Sequence, residues 1–314
     1  MIWKEIKKCK RIIGVDVGKD ELVACIMDRE KKRWLLPTII FLGIFFIFKL
    51  INSSQIIWTF PLDQNNDISS HAAQLYFLKE YGFHNIVPNW YNGYKLFLTY
   101  PPGWFFFTLP LYSLLGRLLS SIFISHIIIY LLGFIFLLLL GKSQKLSLIE
   151  ILFLYLVIYA NPISIGNFIK LGRIPEMFSF TLFILFFTLT LRYKNRNFDK
   201  YSLVLSLIYG MLLIIHPAFF IISNLFLLSL FFMKKGKEKL FVIIFIFIGL
   251  LLTSFWLVPF IRTSSSTALV QDKSYTGLYR LLKLDKKEFI FCLLYTSDAA
   301  DEGLGVDLGG RRII

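Results

Sequence analysis

The sequence predicts an all-α polytopic membrane protein with about seven to eight transmembrane helices and a large first outer loop. Three observations predict it. Hydrophobic residues make up 56% of the 314 positions, with 34 Phe, above the roughly 45–50% apolar content of a soluble domain. The excess lies in long uncharged blocks. The net charge of +14 is carried mostly by Lys and Arg at the ends of those blocks, the pattern of loops facing anionic lipid. These features exclude a soluble globular enzyme, a disordered chain and a disulfide scaffold. Cys9, Cys25 and Cys292 have no metal-like spacing.

Residues 1–33 read as a charged cytoplasmic segment with no cleavable signal. Within it, RIIGVDVGKDELVACIMD (11–28) places apolar residues on either side of a turn at Gly18–Asp20, which predicts a small β-hairpin. A helix needs about 20 apolar residues to cross the hydrocarbon core. The candidate spans are 34–51, 104–116, 118–140, 147–162, 175–192, 202–216, 217–233 and 240–261. The segment 104–116 is short and contains Pro110, so it reads as re-entrant or interfacial. With that segment not crossing, the basic clusters at Lys142/Lys145, Arg192–Lys200 and Lys234–Lys239 all fall on the side of the N-terminus. The expected location is the plasma membrane with the N-terminus cytoplasmic. The transmembrane domain is 34–291, and the outer loops are 52–103 and 163–176.

The first outer loop contains most of the candidate chemistry. Asp67 stands before a run in which Ile68, Ala72, Leu75, Tyr76 and Leu78 recur at helical spacing, and Gly82 ends it. Asp67 as N-cap and His71 one turn later would share a face. Asp63 lies four residues upstream. Pro88-Asn-Trp-Tyr-Asn-Gly93 and Tyr100-Pro-Pro-Gly-Trp104 are aromatic turns. Trp90, Tyr91 and Tyr100 serve either as interfacial anchors or as stacking surfaces for a sugar. In the second outer loop, Lys170, Arg173 and Glu176 sit between apolar spans. An Arg there either holds a phosphate by paired hydrogen bonds or snorkels to the headgroups. His126 and His216, at or within spans, read as interhelical residues with satisfied hydrogen bonds. No phosphate-binding loop, dinucleotide fingerprint or zinc-protease motif occurs.

These motifs resemble a known family. An N-terminal span precedes D…SSH, a short helix ending near a Gly, P-x-W-x-x-G, Y-P-P-G and an apolar helix with P-L-Y. The order is similar to that of the membrane proteins called 6-pyruvoyl-tetrahydropterin synthase-related, over roughly 34–291. That resemblance implies a fold-C glycosyltransferase-like arrangement and a polyprenyl-phosphate-linked sugar as donor. It implies that Asp67, with Asp63 as second choice and His71 beside it, performs acid–base catalysis. It also implies that Arg173 and Lys170 hold a lipid phosphate with Glu176 orienting Arg173, since the family shows a similar G-R-x-P-E run. Nothing in the sequence points to a pterin site. The cofactor stays open: a divalent metal is compatible, but Asp63 and Asp67 form no D-x-D pair. The expected partners are membrane lipid and polyprenyl-phosphate-linked sugar, with no nucleic acid. The alternative to a transferase is a non-catalytic protein or transporter that binds lipid-linked glycans.

Two further resemblances concern the ends. Residues 11–28 are similar to the first strands of insertion-sequence transposases with a ribonuclease H-like core, where the Asp matching Asp16 holds a metal. Residues 292–314, CLLYTSDAADEGLGVDLGGRRII, resemble the translation of a sequencing-library adapter. On this reading the natural chain continues beyond Phe291, and the fragment alone is expected to be inactive.

Overall fold

The computed structural model describes residues 12–17, 20–25, 35–57, 67–90 and 93–267. The expectations placed on Asp63, Tyr91 and 292–314 lie outside these residues. Apart from two short ribbons, the described chain is helical. The first ribbon is the expected hairpin: β1 (Ile12–Val17) pairs antiparallel with β2 (Asp20–Cys25), Val17 opposite Asp20. The helices are α1 (Leu35–Ser53), α2 (Asp67–Tyr81), α3 (Gly103–Leu115), α4 (Leu118–Ser143), α5 (Leu148–Tyr159), α6 (Ile174–Lys194), α7 (Leu203–Ile215), α8 (Pro217–Met233), α9 (Lys237–Leu252) and α10 (Ser254–Thr267). A second ribbon, β3 (Ile86–Val87) with β4 (Tyr94–Lys95), closes the turn after α2. The chain divides into two compact units. One comprises residues up to Phe97 with Pro101–Thr253; the other comprises Leu98–Tyr100 and the residues from Ser254 onward.

Among the described residues, three helices are long and apolar enough to cross a bilayer: Leu35–Ile57, Leu118–Ser143 and Ile174–Lys194. The count rises to five if two bent pairs, Leu148–Tyr159 with Pro162–Lys170 and Lys237–Leu252 with Ser254–Thr263, are each one span. The described residues thus support three to five spans, and the expected seven or eight are not shown. The apolar runs are present, but the backbone interrupts them. At Asn161-Pro162 the Asn161 side chain accepts from Ser164 N and restarts the helix at an angle of 50°. Thr253 ends α9 inside what reads as one apolar block. Helix α3 has 13 residues, about 20 Å, too short to span alone. The segment 163–176, expected as the second outer loop, is also mostly helical: Pro162–Ser164 runs into a π-helix, Ile165–Lys170.

The bundle of the first unit is built on α6. It packs against α4, α7 and α8, while α9 packs on α7, and α5 on α1 and α4. Its interior is polar as well as apolar. Tyr159 Oη and Thr181 Oγ1 are 2.8 Å apart, and Gly133 leaves room for that hydroxyl: a Cβ there would sit 2.4 Å from Tyr159 Oη. We expect Tyr159→Phe to lower the melting midpoint through loss of about 1 kcal/mol and Thr181→Val to add little further, measured in detergent. Beside this bond the rings of His126 and Tyr130 stack at 5.0 Å, with His126 Nε2 and Tyr130 Oη buried and unbonded among the described residues. The satisfied interhelical histidine expected at 126 is therefore not what the fold contains. Outward-facing side chains are large and apolar, as along α1 at Phe41, Ile44, Ile47 and Ile51, which suits a lipid surface. Lys49 lies over Phe45 and Phe48, its stem along the helix.

The two ends of α6 differ chemically. Arg192 and Lys194 lie in its last turn, followed by a loop fixed to the α8–α9 turn. There Phe198 N donates to Glu238 Oε2 (3.0 Å), and Lys234 Nζ donates to Arg196 O. The basic clusters at 192–200 and 234–239 thus share one end of the bundle. Arg173 stands at the other, one helix length of about 31 Å away.

Candidate functional site

Helix α2 forms as its sequence indicates. Ile68, Ala72, Leu75 and Leu78 are buried along one face, Tyr76 is exposed, and Gly82 closes the helix at φ +85° with its N–H on Leu78 O. Asp67 is its first residue, where a carboxylate suits the helix dipole. The Asp67 N–H donates to Leu171 O at 2.9 Å, so the start of α2 is bonded to the second outer loop.

That loop is shaped to present Arg173. Leu171 N bonds Gly166 O, as the π-helix requires, and Gly172 takes φ +74°. Arg173 then adopts φ −71°, ψ 58°, the centre of an inverse γ-turn closed by Ile174 N on Gly172 O (2.7 Å). Pro175 follows in the first turn of α6. The result brings the two outer-loop charges together: Arg173 Nε lies 3.9 Å from Asp67 Oδ2, the Arg side chain 11% and the Asp side chain 31% exposed. Glu176, expected to orient Arg173, sits in the first turn of α6, and Lys170 is the exposed last residue of the π-helix.

The side chain of His71 is buried. It is 5% exposed, with Trp104 and Phe105 of α3 packed on its ring at 5.5 and 5.8 Å. Burial pushes the imidazole down to about 3, and His216 adds to the shift. A neutral imidazole of that basicity is a poor proton acceptor at pH 7. It also sets a pH dependence. The folded value lies below the unfolded one of about 6.5, so the unfolded chain binds the extra proton between the two. The stability from His71 is complete above about 6.5 and falls steadily as pH drops towards 3. His84, also lowered by burial, acts in the same direction. Melting midpoints of wild type and His71→Gln between pH 7 and 4 are expected to converge on acidification.

Trp90 packs edge-on to Phe77 at 4.8 Å and accepts from Gly93 N and Tyr94 N, so it anchors the ribbon turn. Tyr100 belongs to the second unit. Glu150 caps α5, accepting from Ser147 N and Ser147 Oγ. Among the described residues no three His, Cys, Asp or Glu side chains gather as a metal ligand set.

Comparison with protein families matches residues 98–297 to the 6-pyruvoyl-tetrahydropterin synthase related domain, a membrane protein domain. The match covers well over half of the chain. The chain belongs to the 6-pyruvoyl-tetrahydropterin synthase-related membrane proteins. No curated protein and no solved structure matches it. The matched part of this 6-pyruvoyl-tetrahydropterin synthase-related protein contains Arg173, Glu176, Trp104 and His216 and leaves Asp67 and His71 outside. It begins later than the 34–291 over which the resemblance was read.

His216 is the residue whose role the sequence did not reveal. It ends α7 and precedes Pro217 of α8, its carbonyl accepts from Ser179 Oγ of α6 (3.3 Å), and its Nδ1 is buried and unbonded among the described residues. The one available signal was its place before a proline between two short apolar runs.

Proposed function

We propose that this family member is a fold-C glycosyltransferase-like integral membrane protein that uses a polyprenyl-phosphate-linked sugar. The observation that supports the reading is the pairing of Asp67 with Arg173: one carboxylate and one guanidinium from separate loops, placed at the end of the bundle opposite its basic loops. That end is taken as the outer side, since the basic clusters then face the cytoplasm. In the reaction the acceptor hydroxyl attacks the sugar C1 and its proton passes to the Asp67 carboxylate. The bond from C1 to the phosphate oxygen breaks, and Arg173, with Lys170 near it in sequence, takes up the charge of the departing polyprenyl phosphate.

Incubating the natural full-length protein in lipid nanodiscs with polyprenyl-phosphate hexoses and a soluble acceptor tests this. Release of polyprenyl phosphate, read by mass spectrometry and dependent on the acceptor, is the expected result. Binding of the donor with no release for any hexose would instead support the glycan-binding or transport reading.

A further inference from the structure

The local rules of helix termini are broken twice near Arg173. An N-cap position favours a short side chain that accepts a hydrogen bond, and the helix dipole favours negative charge there. Yet α6 is preceded by Arg173 and α8 by His216, and neither makes a side-chain cap bond. Both helices are long, with 21 and 17 residues. Conflicts of this kind mark places where binding has overridden stability.

The two termini are adjacent. Ser179 of α6 bonds the His216 carbonyl, and Arg173 acts electrostatically on His216. The start of α3 closes the same region. Gly103 approaches α7 so closely that a Cβ would lie 2.5 Å from Ile215 Cγ1 and 2.7 Å from Ile214 O, which places Trp104 beside the His216 turn. Trp104 is fully buried, and its indole Nε1–H has no partner among the described residues. An indole N–H can only donate, and burying one without an acceptor costs free energy. A second unbonded nitrogen, His216 Nδ1, lies at the same turn.

We infer that Trp104 Nε1–H and His216, in the tautomer protonated on Nδ1, are further ligands of an anion held at Arg173, and that this anion is a phosphate group. The inference rests on the proposed function only for the identity of the phosphate-bearing molecule. The dipoles of α6 and α8 and the guanidinium supply positive potential, and the two neutral N–H groups supply direction. Asp67, beside Arg173, is then the counter-ion that the phosphate partly displaces. A lipid phosphate and a free phosphate offer the same oxygens.

The test uses the full chain in dodecyl maltoside, with inorganic phosphate and dodecyl phosphate as probes and thermal stabilisation as the readout. Stabilisation by dodecyl phosphate alone assigns the site to a lipid headgroup, and equal stabilisation by both assigns it to phosphate itself; either supports the inference. Trp104→Phe and His216→Leu are each expected to weaken binding about tenfold, and His216→Gln, which can still donate, to recover part of it. Trp104→Phe keeps the ring packed on His71, so it serves even if His216→Leu fails to fold. The inference is overturned if wild type binds neither probe, or if Trp104→Phe binds as wild type does. Phosphate binding without sugar release by the natural full-length protein would sink the transferase reading and leave this site standing.

Discussion

Asp67→Asn is expected to lower acceptor-dependent release of polyprenyl phosphate by about 10²–10⁴-fold, the usual effect of removing a general base. The substitution keeps the size of the side chain and the backbone N–H that bonds Leu171 O, so α2 still starts where it does. It removes one charge next to Arg173. Phosphate affinity should therefore stay the same or rise while turnover falls. A loss of both together would mean that Asp67 holds the loops in place and takes no proton. Full activity in Asp67→Asn would end the assignment of base to this residue.

The second large effect is structural. Helices α7 and α9 cross where Gly210 faces Gly249. A Cβ on Gly249 would stand 2.7 Å from Tyr209 Cδ1 and 2.9 Å from Ser206 O, and one on Gly210 would stand 2.8 Å from Gly249 O. Small residues at such crossings let backbones approach where no hydrophobic force separates protein from lipid. Gly249→Ala is expected to cost about 1–3 kcal/mol, and Gly249→Leu to part the helices. Tyr209 Oη bonds Asn224 Oδ1 of α8 at 2.7 Å, so the displacement reaches a third helix. Gly43→Ala in α1, with open space around the new methyl, is the control expected to keep or slightly raise the melting midpoint.

Local signals in the sequence carried the helix boundaries well. Asp67 and Gly82 bracket α2 because a first-turn carboxylate and a left-handed glycine are both chemical requirements of helix ends. Gly18–Asp20 marked the hairpin, and His216-Pro217 the α7–α8 break. Hydropathy failed where continuity of the backbone matters more than composition. Residues 240–261 carry no charge, yet α9 stops at Leu252, before Thr253 and Ser254. The π-helix at Ile165–Lys170 has no compositional mark at all. At the site, Asp67 and Arg173 were each visible as charges between apolar spans, but more than one hundred residues separate them in the chain. Their contact depends on the γ-turn at Arg173 and on the Leu171 carbonyl, neither of which is a property of residue type. The burial of His71 was not legible, because the Trp and Phe that cover it come from α3, beyond the loop that contains it.

The short helices have a consequence for the surrounding lipid. Helices α3, α5 and α7 have 13, 12 and 13 residues, about 18–20 Å each. A hydrocarbon layer of about 30 Å overshoots them, and such hydrophobic mismatch is relieved by local thinning or by flanking side chains reaching for the headgroups. Arg117, after the left-handed Gly116 that ends α3, is placed for the second. Acyl-chain length then becomes a control on the protein: bilayers of short-chain lipid match the flank, and long-chain lipid strains it.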